Sequence, residues 1–317
     1  MGRTFIFAGN AAVGSAISPN LVKAGYTAAG GVPDADVILI YCETQGNLED
    51  MLFDEGGLMQ SAKKGAWLVV LNASTPDFAR ELSAIAIVND LHSAEAPLVI
   101  NDVTRADAFS DPANLSCFLA GEAEDCEDIE PLIGAIVGTV EVTGAPGSAQ
   151  AARAAMTIQL AARLVACMEA EALCRVSSLS SASLFDFSLD QGFITEKASR
   201  LLEAVREERF EGAYTVQMCM AEVTAALMTA DDADLILPGA EACMHLLELL
   251  ALIGGGEMAP AALDLVYGDE ALCAKHGLDW AQAEQTWSEE GRDSLDDDEP
   301  CSRRDEFSGG FGGYSSN

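Results

Sequence analysis

Histidine is scarce in this chain: its 317 residues hold three, His92, His245 and His276. The nine cysteines form no CxxC pair, and they sit mostly in apolar helical stretches, as at Cys167, Cys174, Cys219 and Cys243. That usage excludes a zinc site and a disulfide framework and leaves buried free thiols, so no metal is expected. Positive charge is scarce too, with 17 Lys and Arg against 51 Asp and Glu and a net charge of −34. A field of that sign repels phosphate backbones, which excludes nucleic acid as a partner. Solubility or a salty host cytoplasm accounts for the acidity, which says little about substrate. Charges interrupt the apolar stretches before they reach membrane-spanning length. Met1-Gly2-Arg3-Thr4 leads straight into a strand-like segment with no signal-peptide pattern. A cytoplasmic protein with no membrane partner is the expectation.

What the sequence does have is aliphatic bulk. Half of it is hydrophobic while aromatics make up 6%. A chain of this length suits two domains, because single cores stop growing near 250 residues. Thr4 to Ala8 is short, apolar and strand-like, and Ala11 to Ala24 follows with helical spacing at Val13, Ile17 and Leu21. Further apolar runs at Val37 to Tyr41, Trp67 to Leu71 and Pro97 to Ile100 alternate with helical patterns. That alternation predicts a parallel sheet covered on both faces, extended by Ser116 to Ala120 and Thr139 to Val142. From Gln150 the periodicity becomes helical throughout: Ala151 to Ala172, Ile194 to Glu207, Val216 to Met228 and Glu241 to Ile253. The reading is α/β followed by all-α. Residues 1–148 form a truncated Rossmann-like domain, and 149–287 form a helical domain built on one long central helix. Residues 288–317, acidic and then Gly/Ser-rich, form a tail expected to be disordered.

Three stretches together resemble the β-hydroxyacid dehydrogenase family, which includes 3-hydroxyisobutyrate and 6-phosphogluconate dehydrogenases. Gly9-Asn10-Ala11-Ala12-Val13-Gly14, between a strand and a helix, is similar to the family's GxGxxG turn. Gly56-Gly57-Leu58, Lys64-Gly65, a strand and Ser74-Thr75-Pro76 resemble its next conserved region. Gly144 to Gln150 resembles the segment that opens the catalytic helix. The resemblance implies an NAD- or NADP-dependent oxidoreductase of small hydroxy acids, ketones or imines, assembled as a homodimer. In it Gly9, Asn10, Ala11, Val13, Gly14 and Ser74 would hold the cofactor, since a glycine-rich turn lets backbone N–H groups approach a pyrophosphate at a helix N-terminus.

The departures are as informative. Ala11 stands where the family has its second glycine. Only Gly25 to Asp36 separates the first helix from Val37 to Tyr41, too little for a parallel crossover, so a strand–helix unit is expected to be missing. Asp34 and Asp36 have the spacing of a ribose-binding acid, but they precede a strand, which makes them turn and cap residues. At the position of the family's catalytic lysine stands Arg153, with Thr157 four residues on. A guanidinium keeps its charge, so Arg153 can orient a carboxylate or polarise a carbonyl but is a poor proton shuttle. Thr104-Arg105-Ala106 is aligned with the family's substrate loop, giving Thr104, Arg105 and Gly147 as substrate contacts. Ala221-Glu222 replaces a Lys-Asp pair, and Tyr41-Cys42 replaces the Leu-Pro beside the nicotinamide. An ion pair between Arg105 and Asp102 is a further expectation. Two outcomes stay open: a diverged oxidoreductase, or a pseudoenzyme that keeps the fold as a dimeric binding or scaffold protein.

Overall fold

The computed structural model describes residues 3–283, so the expected tail lies outside the described residues. The chain begins with strand β1 (Thr4–Gly9), helix α1 (Ala11–Lys23), β2 (Thr27–Ala28) and β3 (Val37–Tyr41). It continues through α2 (Gln45–Phe53), α3 (Leu58–Ser61), β4 (Trp67–Val70), α4 (Pro76–Val88), β5 (His92–Glu95), β6 (Leu98–Ile100) and β7 (Leu115–Gly121). Helix α5 (Ala123–Ile133) and strand β8 (Thr139–Gly144) complete the first domain. The sheet order is β2-β1-β3-β4-β5-β7-β6, with β8 also paired to β7. Pairing is parallel from β2 to β5 and between β7 and β8. It is antiparallel where β7 meets β5 and β6, so the far side of the expected parallel sheet is mixed.

β3 is buried at all five positions, which is why it reads as an unbroken apolar run. One face packs on α1 through Val13, Ile17 and Leu21; the other carries Ile38 and Ile40 into a cluster with Leu48, Leu52, Phe78 and Leu82. Helix ends follow local chemistry. Thr44 and Thr75 accept the N–H groups of Asn47 and Phe78, and Pro76 occupies the first turn of α4.

One expectation needs correction here. A second strand is present, but only as the two-residue β2, which pairs Thr27 with Thr4 and Ala28 with Phe5. Only one short 3-10 turn, Val32–Asp34, follows it. Residues 29–36 turn under the amino end of β1, where Asp36 accepts the N–H of Thr4 at 2.7 Å and pairs with Lys63 at 2.6 Å. Lys63 and the Thr4 N–H hold the Asp36 carboxyl down at about 2. Its role is the turn and cap role expected of it. His92 begins β5, stacks on Trp67 and meets Asp125 at 2.9 Å.

The second domain is helical: α6 (Ser148–Val176), α7 (Ser181–Asp190), α8 (Glu196–Arg206), α9 (Val216–Asp231), α10 (Pro238–Leu250) and α11 (Glu270–Lys275). α6 is the axis, packed by α8, α9 and α10. By length and composition it is long and apolar enough to cross a membrane, a property that the central helix of a folded domain shares. Its buried face carries Gln150, Arg153 and Thr157, which is the pattern of a central helix with an internal polar site. Eight described cysteines are buried and free, and no cluster of metal-ligating side chains occurs among the described residues.

Candidate active site

The seam between sheet and helices is built from two halves that meet at Tyr41. On the sheet side, Gly9 ends β1 with φ of 103°. A Cβ there would run into the carbonyl of Tyr41, so glycine alone lets β1 and β3 stay paired to their last residues. Asn10 then caps α1. Its N–H donates to the Tyr41 carbonyl at 2.7 Å, and its Oδ1 accepts the N–H groups of Ala12 and Val13 at 3.0 and 3.1 Å. One turn on, Gly14 lies against the Phe7 ring with no space for a side chain. The turn opens on a depression of about 360 Å³ lined by Gly9, Asn10, Ala11, Cys42, Asn47 and Met51, with Glu43 at its wall.

On the helical side, Gly147 takes φ of 91° and bends the chain from β8 into α6. The Glu95 carboxylate caps that helix, accepting the N–H groups of Gly147 and Gln150, the latter at 3.0 Å. Burial lifts the Glu95 carboxyl to about 7, against the opposing pull of those donors. Gln150 ties α6 to the end of β4, donating to the Asn72 carbonyl at 3.1 Å and accepting from the Ser74 N–H at 3.0 Å.

Arg153 lies one turn further along α6 and is 3% exposed. Its Nε donates to the Leu98 carbonyl at 2.9 Å and its Nη1 to Thr157 Oγ1 at 2.7 Å, while Nη2 forms an ion pair with Glu222. Glu222 Oε2 also accepts the Tyr214 hydroxyl at 2.6 Å. Burial alone would lower the guanidinium, but the Glu222 carboxylate beside it holds it above its ordinary value. Burial and Glu222 push the Tyr41 hydroxyl upward. The result is a fixed, internally neutralised cation that cannot carry a proton to a ligand at neutral pH.

The structure joins Arg153 to Thr157, and it gathers Gly9, Asn10, Ala11, Val13 and Gly14 into one turn. Tyr41 links the groups: its backbone pairs with Gly9 while its side chain feels the charges of Arg153 and Glu222. Other expected contacts lie elsewhere. Ser74 is buried behind the seam, its hydroxyl unpartnered in a cavity of about 10 Å³ beside Glu95, room for roughly one water. Thr104 donates to Asp102 at 2.6 Å, and Arg105 pairs with Asp107 at 2.8 Å and Asp111 at 2.9 Å, not with Asp102. Both line a separate open cleft of about 900 Å³. Asp102 instead faces Arg200 at 3.3 Å. Tyr214 is the site residue that sequence reasoning missed, since nothing in its spacing shows that it turns back onto Glu222.

Residues 8–144 match the family model for the NAD binding domain of 6-phosphogluconate dehydrogenase. An uncharacterized oxidoreductase of Bacillus subtilis, YkwC, is 24% identical over 70% of this chain and 75% of its own. The 2-hydroxy-3-oxopropionate reductase of Escherichia coli is 24% identical over 72% of this chain and 77% of its own. The solved structure of Mycobacterium tuberculosis 3-hydroxyisobutyrate dehydrogenase superposes with a TM-score of 0.72 at 17% identity, covering 85% of this chain and all of that one. The chain is similar to the β-hydroxyacid dehydrogenases as a divergent relative: the family model matches its first domain, and the fold match extends over both. The glycine turn lies within the matched residues, and Arg153 follows them on α6.

The residues present fit half of a dinucleotide. The positive end of α1 and the open depression before it suit a pyrophosphate and the nucleotide beyond it. The adenosine end has no seat of the usual kind. β2 stops level with Phe5, and four residues of strand, about 13 Å, separate that level from Gly9. A ribose-binding acid belongs at the carboxyl end of such a strand, and this strand does not reach it.

Proposed function

We propose that this chain acts as an NAD(P)-dependent oxidoreductase on a small hydroxy acid, ketone or imine, with Arg153 orienting the substrate in place of a proton-carrying lysine. The observation that carries this is Tyr41, which couples the glycine turn to the Arg153 cluster through one residue. Gly9, Asn10, Ala11, Val13 and Gly14 would hold the pyrophosphate and the nicotinamide half. When bound, the cofactor supplies or accepts a hydride. Arg153 contributes a charge of fixed position that polarises a carbonyl or aligns a carboxylate. Thr157 and the Leu98 carbonyl hold that charge in place. Tyr41, Tyr214 and Glu222, all buried, keep water from it. The Arg153 guanidinium and the Tyr41 and Tyr214 hydroxyls are all held in their protonated forms, so reactions whose proton comes from the substrate itself suit this site best.

A second reading is favoured by a specific observation. The Arg153 guanidinium and the N–H groups of Ala12 and Val13 already have partners within the chain. A pseudoenzyme, a dimeric binding or scaffold protein without cofactor, would have this arrangement. Calorimetric titration of the purified protein with NADH and NADPH separates the two. Micromolar binding of either supports the oxidoreductase, and absence of heat at millimolar cofactor overturns it in favour of the scaffold.

Homodimerisation belongs to both readings. Leu173, Val176, Leu179, Phe187 and Phe193 are more than half exposed where α6 runs into α7, an apolar surface that a second copy would cover. A monomeric mass in sedimentation equilibrium at micromolar concentration would refute it.

A further inference from the structure

A second, smaller cavity runs along α6 from Arg153 toward Arg163, between that helix, α8 and the end of β6. Arg153, Met156, Leu160 and Arg163 follow helical spacing, so they form one stripe on α6. Ten residues of helix place the two arginines about 15 Å apart along the axis. Val99 and Leu201 add apolar wall, Tyr214 closes the Arg153 end, and the cavity measures about 50 Å³. On the measure by which one water takes about 10–15 Å³, that is room for a few waters or one small acyl group.

Its other end is unusual for so acidic a protein. Arg163 has no carboxylate or hydrogen-bond partner among the described residues, and Lys197 donates only to the Asn101 side chain, at 3.0 Å. Arg200 stands nearby, and burial, Arg163 and Arg200 together press the Lys197 ammonium down against the smaller opposing pull of Asp102. In a chain with three acidic residues for each basic one, chance placement favours neutralised cations; here Arg163 and Lys197 face one cavity in which the lining carboxylate, Asp102, is already engaged by Arg200 at 3.3 Å and by the Thr104 hydroxyl at 2.6 Å. Like charges so placed repel, and an anion between them relieves that repulsion.

We propose that Arg163 and Lys197 bind the carboxylate of a small organic acid, whose apolar body lies along Met156, Leu160 and Leu201 toward Arg153 and Tyr214. The arrangement moves anion recognition off the loop at Thr104 and Arg105, which face another cleft, and onto helices α6 and α8. It deepens the oxidoreductase reading by naming what holds the substrate's charge, but binding here requires no cofactor, so the two fail separately.

The test is calorimetry on the full-length protein without cofactor, using isobutyrate as probe and isobutyramide as its neutral isostere. The expected result is saturable binding of isobutyrate and none of isobutyramide, with Arg163→Gln and Lys197→Gln each weakening isobutyrate roughly tenfold or more, as loss of a charged hydrogen bond does. Both positions border solvent, and matching far-ultraviolet circular dichroism and melting temperatures would show the variants folded. Equal binding of acid and amide, no binding of isobutyrate at tens of millimolar, or full affinity in either variant would overturn the proposal.

Discussion

The Arg153 guanidinium closes onto the Glu222 carboxylate, joining α6 to α9 across 69 residues of chain, with side-chain exposures of 4% and 8%. Removing one partner leaves a buried charge without compensation, which costs about 3–5 kcal/mol, whereas removing both is far milder. Glu222→Ala should therefore lower unfolding free energy in urea by several kcal/mol, and Arg153→Met with Glu222→Leu by much less. Equal losses for the single and double variants would mean that the pair does not act as a unit.

The short β2 carries a second prediction. Discrimination between NADH and NADPH rests on the side chain that meets the ribose at the carboxyl end of the second strand. This chain's strand ends at Ala28, level with Phe5, and Asp34 and Asp36 are at the opposite end of the sheet from the glycine turn. Dissociation constants for the two cofactors should agree within about threefold, less than 1 kcal/mol. A tenfold preference in calorimetry would show that some other residue reads the 2′ position.

How far the sequence reveals this site depends on which interactions are local. β3 is legible because burial on both faces demands five consecutive apolar residues, and α6 because its stripe persists for eight turns. β5 is not legible: His92-Ser93-Ala94-Glu95 has no apolar run, and it is held in the sheet by its neighbours. Yet Glu95 is the residue that caps α6. β2 is hidden for a similar reason, being two exposed residues held by pairing to the backbone of β1. Arg153 marks itself by standing where a lysine is expected, but its neutralisation by Glu222 exists only once α9 has packed.

Asn10 offers a prediction in which stability and affinity change in opposite directions. Its Oδ1 occupies the two N–H groups, of Ala12 and Val13, that a phosphate at this helix end would accept from. Asn10→Gly should cost only a few tenths of a kcal/mol in stability, since glycine is a tolerated cap. It should tighten NADPH by roughly threefold or more by leaving those donors free. Unchanged or weaker binding would mean that the turn does not receive the pyrophosphate.

Glu95 predicts a pH dependence with a definite sign. Its carboxyl titrates at about 7 in the fold, above the ordinary 4.5, because burial disfavours the charged form. A group raised on folding contributes stability that is fully present below its unfolded value and is lost as pH rises through its folded value. Between pH 5 and pH 8 this single group should remove about 3 kcal/mol, an order-of-magnitude figure from the size of the shift. Glu95→Gln keeps one acceptor for the N–H groups of Gly147 and Gln150 but cannot ionise. Urea denaturation of the two proteins across that range should give a stability difference that narrows or reverses toward pH 8. A difference independent of pH would mean that Glu95 is already ionised at pH 5, its backbone donors and the positive end of α6 having overcome its burial.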